Sequence, residues 1–210
     1  MKIVIGGNGI RVLSVLKALV NTYDILELMS QYQFEFPEFM FLGVYPIDFA
    51  SKDSMGNCII DEMCSINLQK LRKKNIDSFG VVFNLDKHDE PGSHWVACYC
   101  GFNPHKKNYG RYFYDSYADG YPNEIKNFMY KIKDNLKDEK KKFIIKDNKK
   151  RHQFGHSECG MFSINFLIQL IKGNSINKVY NMDINDDEVN KLRNILYTPQ
   201  KLVKKKLKIN

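Results

Sequence analysis

The sequence lacks a long apolar run, and it lacks any stretch rich in proline, glycine and serine. A membrane-spanning helix needs about 20 consecutive apolar residues, so no transmembrane segment is predicted. The 6 prolines and 13 glycines of the 210 residues are scattered, which leaves no candidate linker between domains. The opening residues, MKIVIGGNGIR, also lack the charged-then-apolar layout of a signal peptide. We therefore expect one domain in a cytosolic or nuclear setting.

Cysteine is sparse, and no paired C-x-x-C motif occurs. An odd count of 5 cysteines without an export signal indicates reduced thiols rather than a disulfide framework, and no partner is evident for Cys58 or Cys64. Zinc is an alternative, because several histidines and cysteines have spacings that suit a metal site. Its candidate ligands are His152, His156, Cys159, Cys98 and Cys100. Without paired motifs, we expect no metal and no cofactor.

Acidic residues are outnumbered, with 24 against 32 lysines and arginines, and the formal net charge is +8. The excess is local: residues 131–151 hold ten basic and four acidic residues, and residues 201–208 hold five lysines. Runs of this kind usually form solvated faces. The alternative is contact with a polyanion such as DNA, whose phosphates attract lysine and arginine.

Hydrophobic periodicity predicts five helices and six strands. The helices fall at residues 11–32, 65–71, 122–136, 158–172 and 186–197, and the strands at 2–5, 39–45, 79–85, 94–102, 111–115 and 142–146. Ser65 is the expected cap of the second helix. The helix at 158–172 is apolar on all sides, which predicts burial at the centre of the fold. A central group of strands flanked by helices predicts an α+β fold with a largely antiparallel sheet.

Cys159 and Gly160 stand at the start of this buried helix. A thiol attacks as a thiolate, and the unpaired amides at a helix N-terminus favour negative charge there. The following glycine would let a substrate carbonyl approach the backbone. The alternative for a lone cysteine is a small buried hydrophobe.

Three upstream residues supply the other groups that a thiol nucleophile needs. His94 opens an apolar strand, where its imidazole could take the proton of Cys159 and later protonate a leaving amine. Asp115 ends the next strand, where a carboxylate would fix the tautomer and orientation of the imidazole. Gln153 lies six residues before the cysteine, and its side-chain amide could stabilise an oxyanion together with the Cys159 backbone amide. Each residue alone has a structural explanation, and it is their conjunction that indicates a cysteine hydrolase.

These segments resemble the ubiquitin-like-protein (SUMO-type) proteases and the adenovirus-type proteases, especially members from large DNA viruses. The motifs are GSHWVACY around His94, YFYDSY around Asp115, and QFGHSECG from Gln153 to Gly160. The order His, Asp, Gln, Cys is that of the family, and the likeness covers roughly residues 39–170. The resemblance implies that His94, Asp115, Gln153 and Cys159 are catalytic.

The resemblance also implies a papain-like α+β fold, with a central mixed or antiparallel sheet, flanking helices and the nucleophile at the N-terminus of a buried helix. The expected layout is a single protease domain at 1–200, with an N-terminal helical part at 1–38, a catalytic core at 39–170 and a C-terminal helix at 171–200. A basic tail would follow at 201–210. The implied activity is cleavage after Gly-Gly or Gly-x-Gly sequences.

Trp95 and Gly160 are the expected substrate-binding residues. In the SUMO-type enzymes the tryptophan after the catalytic histidine walls a tunnel that admits only glycine. Trp95 is the only tryptophan of this chain, so the second tunnel tryptophan of the family is missing. Phe41, Phe49 and Tyr45 are the candidate replacements.

Several functions agree with this resemblance. The first is maturation of a viral polyprotein or capsid precursor by a monomer in the virion or the host cytoplasm. The alternatives are removal of ubiquitin-like modifiers and a non-catalytic module that binds nucleic acid or virion cores. The motif GGNG at residues 6–9 does not continue as a dinucleotide-binding fingerprint, although self-cleavage at Gly-Gly-Asn is conceivable.

Overall fold

The structure is a computed structural model, and it describes residues 20–133 and 142–197. Its elements in chain order are α1 (Thr22–Glu35), β1 (Phe39–Pro46), α2 (Asp61–Cys64), α3 (Leu68–Lys73), β2 (Ser78–Asn84), β3 (Trp95–Gly101), β4 (Gly110–Tyr114), α4 (Asn123–Lys133), β5 (Ile144–Asp147), α5 (Cys159–Ile171), α6 (Ile176–Tyr180) and α7 (Asp186–Leu196). The fold is α+β, as predicted. None of the described helices is long and apolar enough to cross a membrane.

The five strands form one mixed sheet in the order β1-β2-β3-β4-β5. The central pairs β2–β3 and β3–β4 are antiparallel, whereas each edge strand lies parallel to its neighbour. The mixed sheet that the resemblance implies is confirmed, whereas the expectation of a largely antiparallel sheet is wrong for the two edge pairs. The two parallel pairs are joined by long crossovers that carry helices, as parallel pairing requires.

Helix α5 packs against β3 on one face of the sheet. Nearly all of its side chains are buried, and Phe162, Phe166 and Leu167 belong to the same apolar cluster as residues from α1 and α7. The other face of the sheet is covered by a second cluster that includes Phe128 and Met129 of α4. The predicted burial of the apolar helix is confirmed, and this burial fixes the position of its N-terminus against the sheet.

Helix α1 begins later than predicted. Asn21 has extended backbone angles, and its side chain accepts hydrogen bonds from the amides of Tyr23 and Asp24 in a capping box. The prediction of a continuous helix over residues 11–32 is therefore wrong, because the backbone is extended at Asn21. The parts of the predicted elements at residues 2–5, 11–19 and 134–136 lie outside the described residues, as do the GGNG motif and the basic tail.

The short helices before β2 also differ from the prediction. Ser65 ends α2 instead of beginning a helix, and Asn67 caps α3 by accepting from the amide of Lys70. Helix α6 was not predicted, since its five residues are too few to show periodicity. Gly173 follows α5 with a φ of +83°, which confirms it as the predicted helix stop.

Cys58 and Cys64 form a disulfide, with their Cα atoms 6.4 Å apart. The expectation of reduced thiols is wrong for this pair, because the single turn of helix α2 brings its last residue, Cys64, close to Cys58. The remaining cysteines, Cys98, Cys100 and Cys159, are free and buried. Burial raises the pKa of Cys98 and of Cys100, which makes both thiols poor nucleophiles.

Candidate active site

His94 and Asp115 meet because of the strand register. Strand β3 begins directly after His94, β4 ends directly before Asp115, and the two strands are antiparallel with Ala97 opposite Tyr114. The start of β3 and the end of β4 therefore lie at the same end of the sheet. There, His94 Nε2 lies 2.7 Å from Asp115 Oδ1.

Asp115 is held as a buried carboxylate. Its Oδ1 accepts from the backbone amide of Tyr117 at 3.0 Å, and its Oδ2 accepts from the amide of Asp119 at 3.1 Å. The Asn148 side chain binds both backbone groups of Asp115, with Oδ1 accepting from its amide at 3.0 Å and Nδ2 donating to its carbonyl at 2.6 Å. Burial opposes the charge on Asp115, but the hydrogen bonds, above all the one with His94, lower its pKa.

Cys159 is the first residue of α5, where its side chain interacts with the imidazole of His94. Since Nε2 of the imidazole is taken by Asp115, Nδ1 is the nitrogen left for this interaction. Burial disfavours the charged imidazole, but the hydrogen bonds with Asp115 and Cys159 outweigh it and raise the pKa of His94 to about 9. The imidazole is therefore a strong proton acceptor for the thiol.

This arrangement can carry out acyl transfer by nucleophilic catalysis. The thiol gives its proton to His94 and attacks a carbonyl carbon as a thiolate, the protonated imidazole then gives its proton to the leaving amine, and water hydrolyses the thioester. Asp115 keeps the imidazole oriented and stabilises its positive charge throughout. The sequence analysis placed these three residues in one site, and the structure brings them together.

Gln153 lies fully buried, and its side chain contacts the two residues that follow Asp115. Its Oε1 accepts from the Ser116 hydroxyl at 2.6 Å, and its Nε2 donates to the Tyr117 hydroxyl at 3.2 Å and to the Gly155 carbonyl at 3.1 Å. Ser116 and Tyr117 directly follow Asp115, so the amide is tied to the strand that supplies the carboxylate. The role of Gln153 in binding an oxyanion stays a prediction.

Trp95 and Gly160 lie side by side at the nucleophile. A Cβ added to Gly160 would lie 3.4 Å from Cδ1 of Trp95 and 3.3 Å from Cβ of Val20. A side chain at position 160 would therefore press against both Trp95 and Val20. Val20 was not recognised from the sequence, because the residue immediately before the α1 cap carries no motif.

A groove of about 420 Å³ continues from Trp95 across the protein surface. Its lining residues are Asn21, Thr22, Val44, Tyr45, Pro46, Asn84, Lys87, His88, Glu90, Pro91, Gly92 and Trp95. Of the three aromatic residues considered as a second wall, Tyr45 alone lines this groove. The suggestion that Phe49 forms the second wall is wrong, because its side chain is buried against Phe83 and Phe128. The side chain of Phe41 packs against the core.

The histidines and cysteines considered for zinc have other surroundings. His152 is buried with its Nδ1 2.9 Å from the Tyr114 hydroxyl, whereas His156 is exposed. Cys98 and Cys100 are buried in β3. Within residues 20–133 and 142–197, no three histidine, cysteine or acidic side chains are grouped as metal ligands.

Two residues at the site were missed by the sequence analysis. Tyr117 stacks on His94 with 4.8 Å between ring centroids, and Asn148 fixes the backbone of Asp115. The motif YFYDSY contains Tyr117, but nothing in the sequence distinguishes it from the three other tyrosines nearby. Asn148 carried no signal, since no motif marks it within the lysine-rich stretch at residues 131–151.

Comparison with known proteins identifies the family. Residues 61–207 match the Ulp1 protease family, C-terminal catalytic domain. A protein of Acanthamoeba polyphaga mimivirus named "Putative thiol protease R355" is 31% identical over 182 residues, which are 86% of this chain and 57% of that protein. The chain thus spans somewhat more than half of the length of this relative.

Solved structures share the fold. The ASFV pS273R protease has a TM-score of 0.72 at 20% identity, over 92% of this chain and 71% of that chain. The Ulp1 protease domain in complex with Smt3, the yeast ortholog of SUMO, has a TM-score of 0.56 at 15% identity, over 92% of this chain and 84% of that chain. Since the family match covers most of the chain and contains the histidine, aspartate and cysteine of the site, the chain belongs to the Ulp1 family of cysteine proteases.

Proposed function

We propose that this cysteine protease is an endopeptidase that cleaves after Gly-Gly or Gly-x-Gly sequences and matures a viral polyprotein or capsid precursor. The observation that carries the glycine preference is the crowding at the nucleophile. Trp95 and Val20 approach the start of α5 so closely that a single methyl group on Gly160 would touch both. A substrate backbone that reaches the Cys159 sulfur past such walls favours residues without side chains.

The groove beside Trp95 is the proposed binding site for an extended substrate segment. Tyr45 supplies an aromatic surface there, with its hydroxyl held 2.8 Å from the Leu42 carbonyl. His88 of the same groove lies 2.6 Å from Asp48, and this contact raises the pKa of the imidazole. The aromatic ring of Tyr45 would pack against the backbone of the substrate glycines. The polar residues of the groove would bind the substrate residues that precede those glycines.

The viral role is supported by the mimivirus relative and by the fold shared with the ASFV protease. Removal of ubiquitin-like modifiers is the second candidate, supported by the fold shared with the Ulp1 domain that was crystallised with Smt3. A non-catalytic binding module is less consistent with the site, because His94, Asp115 and Cys159 keep the arrangement that catalysis needs.

Peptide and fusion substrates test this proposal. We expect cleavage of peptides containing Gly-Gly-Asn or Gly-Gly-Ala, and at least about 10-fold slower cleavage when alanine replaces the glycine before the scissile bond, as size exclusion in a narrow pocket predicts. Tyr45→Ala should raise KM, whereas the matched variant Phe41→Ala, outside the groove, should leave the glycine preference unchanged. Rapid cleavage of SUMO or ubiquitin fusions without peptide cleavage would favour the second candidate instead.

Asp115→Ala should lower kcat/KM by about 100-fold, near the lower end of what acid–base catalysis supplies. The pH profile should change as well. The Asp115 carboxylate helps to raise the pKa of His94 to about 9, so its loss should move the alkaline limb of the profile from near 9 toward 6.5, the ordinary value for histidine. Asp119→Ala is the matched control, because Asp119 contacts Asp115 through its backbone amide. An alkaline limb that stays near 9 would contradict this role.

We also propose that the protease acts as a monomer in the virion or the host cytoplasm, and that its lysine-rich segments contact DNA. The support is the excess of positive charge at residues 131–151 and 201–208. Duplex DNA should then stimulate peptide cleavage at low salt and lose this effect at high salt. A rate that does not change with added DNA at low salt would remove the DNA contact from the proposal.

A further inference from the structure

Tyr117 contacts three of the four residues predicted to be catalytic. Its backbone amide donates to Asp115 Oδ1, the oxygen that also binds His94. Its ring stacks on the imidazole at 4.8 Å with an interplanar angle of 21°. Its hydroxyl accepts from Gln153 Nε2 at 3.2 Å. Tyr117, a half-buried residue that takes no part in the reaction itself, thus links His94, Asp115 and Gln153.

The hydrogen bonds around Gln153 leave one consistent assignment of donors. The Gly155 carbonyl only accepts, so the Tyr117 hydroxyl, 2.8 Å away, donates its single hydrogen there. The same hydroxyl must then accept from Gln153 Nε2, which also donates to Gly155 at 3.1 Å. Ser116 donates to Oε1 on the other side of the amide. Both Nε2 hydrogens of Gln153 are therefore engaged, and its amide plane is fixed.

The phenol is suited to this task because it stays protonated. Burial, reinforced by nearby negative charge, raises the pKa of Tyr117. The Arg151 guanidinium lies over the Tyr117 ring at 4.9 Å, and Nε of Arg151 donates to the Gln153 carbonyl at 2.7 Å. The Tyr117 ring thus contacts both the His94 imidazole and the Arg151 guanidinium, which is itself hydrogen-bonded to the backbone of Gln153.

We propose that Tyr117 is a positioning residue of the oxyanion site. Its hydroxyl holds one N–H of the Gln153 amide and so limits the rotation of that amide. When negative charge develops on the substrate oxygen, the N–H that is bonded to Gly155 passes to that oxygen, and the Gly155 carbonyl keeps its hydrogen bond from the Tyr117 hydroxyl. The proposal rests on the predicted role of Gln153 as an oxyanion donor.

Tyr117→Phe tests the hydroxyl and keeps the stacked ring. Losing an oxyanion donor outright lowers kcat by roughly 10²–10³-fold, so we expect a misplaced donor to cost about 10-fold in kcat, with KM changed by less than about 2-fold. A peptide aldehyde forms a tetrahedral adduct that needs the oxyanion site, and its affinity should fall by the same factor. Alkylation of Cys159 by iodoacetamide needs only the thiolate and should keep its rate. Equal losses in the aldehyde and iodoacetamide measurements would overturn the proposal, because a general structural defect affects both.

A double-mutant cycle separates this proposal from the one on which it rests. In the Gln153→Ala background, Tyr117→Phe should have no further effect, since the group that it positions is gone. An undiminished 10-fold effect in that background would overturn the role of Tyr117. If Gln153→Ala alone leaves kcat unchanged, the oxyanion role of Gln153 fails, and the proposal for Tyr117 fails with it. If Gln153→Ala is damaging while Tyr117→Phe is harmless, only the proposal for Tyr117 fails. Tyr121→Phe, on the same loop with its ring against Phe113, is the matched control.

Discussion

Cys159→Ala should lower kcat/KM by at least about 10⁴-fold, because removal of the nucleophile in triad hydrolases leaves only the catalysis supplied by binding and the oxyanion site. Cys159 is the first residue of α5, and its side chain interacts with the imidazole that accepts its proton. No other described cysteine can replace it, since Cys58 and Cys64 are bonded to each other and the remaining two are buried in β3.

Active-site labelling provides the direct measurement. A peptide aldehyde or vinyl sulfone ending in Gly-Gly should modify the wild-type protein and fail to modify Cys159→Ala. Cys100→Ala is the matched control, because it removes another buried thiol whose raised pKa makes it unreactive. Equal labelling of the wild type and Cys159→Ala would show that a different residue is the nucleophile.

His94→Ala should lower kcat/KM by about 10³–10⁴-fold, toward the upper end of what a general acid–base contributes. The loss is larger than that expected for Asp115→Ala, because His94 both accepts the proton of the thiol and donates a proton to the leaving amine. The Asp115 carboxylate only orients the imidazole and stabilises its positive charge. His105→Ala, an exposed histidine on the loop between β3 and β4, is the control. Unaltered turnover after His94→Ala would defeat the assignment.

The pH dependence of thiol alkylation distinguishes loss of the base from loss of folding. In the wild type, the alkylation profile should change near pH 9, where the His94 imidazolium loses its proton. In His94→Ala the step that belongs to the imidazolium should vanish. A retained step near 9 would assign that pKa to another group.

The candidate catalytic residues could be picked out from the sequence because each one stands at the end of a well-marked element. His94 begins an alternating strand, Asp115 ends one rich in aromatic residues, and Cys159 begins an apolar helix. Because β3 and β4 are antiparallel neighbours, His94 and Asp115 lie at the same end of the sheet, so their proximity follows from strand order alone. The contacts of Tyr117 and Asn148 depend on the loop paths after β4 and β5, which no local pattern determines.

Long-range pairing accounts for the parallel edge pairs of the sheet, which depend on how the chain returns after β1 and β4, and no window of neighbouring residues determines this. The Cys58–Cys64 disulfide is instead local, and it forms because helix α2 brings its last residue close to Cys58. The start of α1 at Asn21 is different in kind. Its capping box was readable as Asn followed three residues later by Asp, but a longer apolar periodicity obscured it.

The contact between Val20 and Gly160 has a practical consequence for ligand discovery. A short flexible peptide joined ahead of Val20 would start beside the residue that follows Cys159, because Val20 lies against Gly160 in the first turn of α5. Tethering of this kind gives an effective local concentration in the millimolar range. Weak binders of the cleft, too feeble to detect when free in solution, could therefore be ranked as genetically encoded fusions by how completely they block turnover in cis.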